Sequence, residues 1–157
     1  MVGSRKLKMG RRAWAALCGV LLCMVLLAGC GAGGEGEPKG AVRQESFEQW
    51  LTESGKMEEF LKTEYVTAVE ENTVRMTIPG DDMVEDFSAS QDLEGVMETA
   101  FGKGSEHEAA AMETIKGQIE ESGITGIRQK ITFTDQDGAE RYYVTYNATG
   151  YCGGGLL

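Results

Sequence analysis

Residues 127–148 read IRQKITFTDQDGAERYYVTYNA, and this stretch decides the fold class. Ile127, Ile131 and Phe133 recur at odd positions with polar residues between them. Beyond Asp137-Gly138 the pattern repeats in Tyr142, Val144 and Tyr146. Successive side chains of a strand point to opposite faces of a sheet, so period-two alternation marks a strand with one buried side. Asp-Gly between two such runs is a strong hairpin signal, because these residues tolerate the positive φ that a tight turn needs. The stretch predicts an antiparallel hairpin built from residues 127–134 and 139–148. The glycine-rich residues 150–157 read as a flexible tail.

Working outward, Val74, Met76 and Ile78 alternate with Thr73, Arg75 and Thr77. Residues 65–69 and 73–78 therefore read as a second hairpin. Glu70-Glu71-Asn72 forms its turn, since Asn accepts left-handed geometry, and Pro79-Gly80 ends it. Helical spacing governs the remainder. Ser46 and Gln49 have the spacing of a capping box, and Phe47, Trp50 and Leu51 share one helical face. Met57, Phe60 and Leu61 repeat that face after Gly55, giving one interrupted helix or two short ones.

Leu93, Val96, Met97, Ala100 and Phe101 form a second apolar stripe, and Met112, Ile115 and Ile119 a third. The eleven residues from Phe101 to Met112 span about three turns at 3.6 residues each, so the two stripes are in phase. One long helix, weakened at Gly102 and Gly104 and ended at Ser122-Gly123, is favoured over two helices with a corner. The order is helix or helix pair, hairpin, long helix, hairpin. That order predicts an α+β domain: an antiparallel four-stranded sheet with helices on one face.

The N-terminus has a different character. Arg5, Lys6, Lys8, Arg11 and Arg12 precede an apolar run over residues 13–27. A basic end followed by a short apolar stretch is the layout of a secretory signal. The run is shorter than the roughly 20 residues that a spanning helix needs. It ends in Leu27-Ala28-Gly29-Cys30, which resembles the bacterial lipobox. The resemblance implies cleavage between Gly29 and Cys30 and a diacylglyceryl group on the Cys30 thiol. The competing reading is an uncleaved signal anchor, with the apolar run extended through Gly34. Two acyl chains suffice for stable attachment, where one holds a protein only marginally.

Cleavage would leave 128 residues from Cys30, enough for one domain with a modest core. That chain carries 10 Lys and Arg against 25 Asp and Glu. Such acidity argues against nucleic-acid binding, which uses basic patches to displace counterions. It also argues against lying flat on an anionic leaflet. Cys18 and Cys23 would leave with the signal and Cys30 would be lipidated. Cys152 then remains alone, so no internal disulfide framework exists. The domain plan is a lipoprotein signal peptide over 1–29, a lipidated cysteine and flexible tether over 30–45, an α+β domain over 46–149, and the tail.

Lipobox, Gly-rich tether, Phe-Trp-Leu helix, the strand ending at Ile78, the helix ending in Glu121-Ser122-Gly123-Ile124, and the hairpin at Asp135-Gln136-Asp137-Gly138 follow one another in order. This order resembles a group of short Gram-positive lipoproteins that carry a domain of unknown function. The resemblance implies an α+β domain held at the extracellular face of the bacterial cell membrane. It carries over no catalytic residue.

Candidate chemistry is sparse. His107 is the sole histidine, and its sequence neighbours Glu106 and Glu108 point to other sides of a helix. No nucleophile–base pairing and no zinc spacing emerges, so the chain reads as a non-enzyme without a cofactor beyond the Cys30 lipid. Asp135-x-Asp137-Gly138 fails as a calcium loop, because Phe133 and Val144 would occupy its first and twelfth positions. Asp81, Asp82, Glu85 and Asp86 form an acidic loop, a weak candidate for Ca²⁺. Tyr142, Tyr143 and Tyr146 with Trp50 suggest an aromatic platform for wall sugars. Core packing is favoured for all but the outward Tyr143. Asn147-Ala148-Thr149 matches a glycosylation sequon by chance.

Two functions are expected: first a membrane-anchored, non-catalytic binding or accessory module with a protein or cell-wall partner, second a small-ligand or Ca²⁺ receptor using residues 81–86.

Overall fold

The structure is a computed structural model, and it describes residues 46–157. The signal peptide, Cys30 and the tether lie outside the described residues. Helix α1 spans Phe47–Glu53 and α2 spans Met57–Leu61. The Ser46 hydroxyl accepts from the Gln49 backbone N–H at 3.1 Å, as the capping motif requires. Gly55 adopts φ 71°, a left-handed conformation that stops α1, so the two-helix alternative holds.

Strands β1 (Val66–Glu70) and β2 (Thr73–Pro79) form the first hairpin. Its turn residue in left-handed geometry is Glu71, at φ 52°. Asn72 instead reaches across to the helix: its side-chain oxygen accepts from the Phe47 N–H at 2.8 Å and so holds the start of α1. The Glu48 carboxylate accepts from the Glu71 N–H at 2.7 Å. The first helix is thus fastened to the hairpin turn from both sides.

After β2 come the single-turn helix α3 (Gly80–Met83), α4 (Leu93–Phe101) and α5 (Glu106–Ser122). The expected continuous helix is two helices with a corner. Gly102 is extended at ψ −170°, and Gly104 takes φ 84°. Ser105 then caps α5, its hydroxyl accepting from the Glu108 N–H at 3.1 Å. In-phase stripes do not enforce continuity where two glycines and an N-cap serine lower the cost of a break. The buried face of α5 is Ala111, Thr114, Ile115 and Gln118; Met112 and Ile119 are only half-buried. Gly123 ends α5 at φ 71° as expected.

Strands β3 (Arg128–Thr134), β4 (Glu140–Asn147) and β5 (Gly150–Leu156) complete a five-stranded mixed sheet in the order β1-β2-β3-β4-β5. Two expectations fail here. The sheet is not wholly antiparallel, because β2 and β3 run parallel. The three helices between them form a crossover that returns the chain to the starting end of β2, and a parallel pair needs such a connection. Residues 150–157 are not a tail, because β5 pairs antiparallel with β4. The Asn147 side-chain oxygen accepts from the Thr149 N–H at 2.8 Å and from its hydroxyl at 2.7 Å, and this local turn folds the chain back.

Glycine suits β5. A Cβ on Gly154 would stand 2.7 Å from the Tyr143 carbonyl oxygen and close to the hydroxyls of Tyr151 and Tyr142. Side chains of α1, α2, α4 and α5 close over the inward residues of the sheet in one hydrophobic core. The 84–92 segment adds to it, with Val84 and Phe87 buried and Phe87 lying directly on Gly80.

Candidate functional site

The acidic residues 81–86 do not form an open loop. Asp81 and Asp82 begin α3, while Glu85 and Asp86 lie in the segment after it. The Asp81 carboxylate accepts from the Ser88 N–H at 3.2 Å and from its hydroxyl. The Ser88 hydroxyl oxygen in turn accepts from the Gln136 N–H at 3.1 Å, which ties this segment to the β3–β4 turn. Asp82, Glu85 and Asp86 are exposed. Among the described residues no three of His, Cys, Asp and Glu group as a ligand set for a metal ion.

His107 sits at the start of α5 with its Nδ1 at 3.0 Å from the Ala100 carbonyl oxygen and its ring 4.4 Å from that of Phe101. Burial lowers its pKa, against the opposing pull of the Ala100 bond and of Glu106. The geometry makes His107 a brace across the α4–α5 corner. Glu108 braces the same corner from its other side. Its carboxylate accepts from the N–H groups of Tyr151 at the sheet edge and of Gly104, and these bonds lower its pKa.

Tyr142 and Tyr146 are core residues, as expected from their stripe. The Tyr146 hydroxyl donates to the Phe101 carbonyl, and burial raises its pKa steeply. Burial also pushes the Tyr142 hydroxyl up to about 12, with Tyr151 as the next cause. Trp50 stacks on Phe47 at 5.7 Å, with Lys56 over its outer side at 4.9 Å. These rings do not converge into a platform with Tyr143, which lies on the opposite face of the sheet. Asp135 organises the β3–β4 turn, accepting from the Asp137 and Ala139 N–H groups at 3.0 and 2.9 Å. Cys152 is exposed, at the irregular point of β5 where the register with β4 shifts.

The surface that sequence reading did not single out is the face of the sheet that no described helix covers. Outward positions of β2 and β3 are Thr73, Arg75, Thr77, Arg128, Lys130 and Thr132. The parallel register sets Arg75 beside Lys130 and Thr77 beside Thr132. Lys130 extends over the Tyr143 ring at 5.3 Å. Arg75 pairs with Glu70 at 2.8 Å, whereas Arg128 and Lys130 form no ion pair among the described residues. The described residues hold eight Lys and Arg against 22 Asp and Glu. Three of those eight thus share the outward face of two adjacent strands that carry no acid. Only the parallel pairing brings them together, and a sequence separation of over 50 residues conceals it.

Compared with protein-family models, curated proteins and solved structures, the chain matches none.

Proposed function

We propose that the protein is a lipid-anchored surface lipoprotein whose α+β domain acts as a non-catalytic binding or accessory module outside the bacterial cell membrane. The observation that carries this reading is Leu27-Ala28-Gly29-Cys30 at the end of a basic and then apolar N-terminus. Among the described residues no helix is long and apolar enough to cross a membrane. His107, Glu108, Asp135 and Tyr146, whose acidities are perturbed, serve as braces and turn organisers, each with a structural partner.

Cys30→Ser is the direct test. The variant is expected to leave the membrane fraction or to persist as an uncut precursor, read by fractionation and intact mass. An unchanged mass and an unchanged membrane fraction would favour an uncleaved signal anchor. Crosslinking in intact cells, scored against a control lipoprotein, tests for a partner. The receptor alternative draws less support, since Asp81 is engaged with Ser88 and the neighbouring acids are dispersed.

A further inference from the structure

We propose that the uncovered face of the β2–β3 pair binds a linear phosphate polymer without bases at the cell exterior, held by Arg128, Lys130 and Arg75. That location rests on the anchor reading; binding in solution does not, so a failed anchor and a failed face read out separately. Charge complementarity selects an anion. The described domain has a formal excess of 14 acidic residues, yet these two central strands present three cations outward and no acid. The same excess selects a slender anion. A broad anionic leaflet, or a second copy of this chain, would also face the rest of this acidic domain and be repelled. A single polymer strand meets the stripe alone.

The spacing suits such a strand. Arg128 and Lys130 are two residues apart on β3, about 6.6 Å at 3.3 Å per residue. Arg75 flanks Lys130 on the next strand, about 4.8 Å away in the hydrogen-bonding direction. Its pair with Glu70 is exposed and weakly held, so its guanidinium is open to exchange onto phosphate. Outward Thr77 and Thr132 supply hydroxyls beside the cations.

The experiment is fluorescence anisotropy of labelled inorganic polyphosphate with the full chain in neutral detergent. Three phosphate contacts give a log–log salt slope of about −2, so raising salt from about 50 to about 200 mM weakens binding roughly 20-fold. Arg128→Gln with Lys130→Gln is expected to weaken binding at least 10-fold and to flatten the slope. The control, Lys103→Gln with Lys116→Gln, changes net charge equally on the helical side and is expected to stay within about twofold. No binding at low salt, or equal loss in the control, overturns the proposal. So does tighter binding of a single-stranded oligonucleotide of equal charge. Salt-sensitive self-association that is lost in the same double variant, without polyphosphate binding, gives the face to a second copy and likewise overturns it.

Discussion

Thr132 and Phe133 are neighbours on β3 and belong to different chemical worlds. Phe133 is fully buried, with the Phe101 ring at 4.6 Å and Phe87 at 6.2 Å. Thr132 lies on the uncovered face between Thr77 and Tyr143. One face of the sheet holds the hydrophobic core, and the other carries a charge pattern. Phe133→Ala should cost about 3–5 kcal/mol through lost burial and a cavity. Thr132→Ala should stay within about 0.5 kcal/mol. Urea midpoints of the two variants check this. Comparable losses would mean that the uncovered face is a second packing surface.

The next largest effect is expected at the edge of the covered face. Gly154→Ala forces a methyl against the Tyr143 carbonyl and the Tyr142 and Tyr151 hydroxyls. Overpacking of this kind costs about 1–3 kcal/mol. Gly104→Ala is the matched comparison: no atom is near its Cβ, and its positive φ is the strain. Thermal melts of both, with amide exchange on β5, would show whether Gly154 loosens the edge strand alone or the whole sheet.

Gln118 breaks the rule of the covered face from within. It is 2% exposed on α5, and neither its Nε2 nor its Oε1 has a partner among the described residues. A buried amide without partners costs about 1–3 kcal/mol, so an apolar group of similar shape should be better tolerated there than the amide itself. Gln118→Met is expected to gain about 1 kcal/mol, read from the denaturant midpoint at constant m-value. A loss would mean that the amide is hydrogen-bonded in solution.

Much of this division was legible from the chain. The stripes at 74–78, 131–133 and 142–146 placed the buried face correctly, because burial of one side imposes the alternation. Turns with local chemistry, at Asp137-Gly138 and Ser122-Gly123, were legible for the same reason. What escaped depends on distant partners. The parallel β2–β3 pairing is set by the crossover, so nothing local announces that Arg75 will meet Lys130. Strand β5 looked like a tail because Gly153-Gly154-Gly155 has no side-chain pattern; its fit is visible only against the Tyr143 backbone. The corner at residues 102–105 lost to helical phase, although its two glycines and Ser105 were the better signal.

The smallest expected effect concerns the seam where helix and sheet edge meet. Glu108 holds β5 through the Tyr151 N–H and the corner through the Gly104 N–H. Those bonds lower its folded pKa below the ordinary 4.5. A carboxyl lowered on folding contributes stability that is complete above its unfolded pKa and disappears as pH falls through the folded one. Wild type should therefore lose stability faster than Glu108→Gln as pH drops from about 5 toward 3, while near pH 7 it remains the more stable. Urea midpoints across that range give the two curves. If they stay parallel, the charge of Glu108 is irrelevant to the seam. If they converge, the difference between the curves is the share of the acid limb that Glu108 contributes at the edge of the covered face.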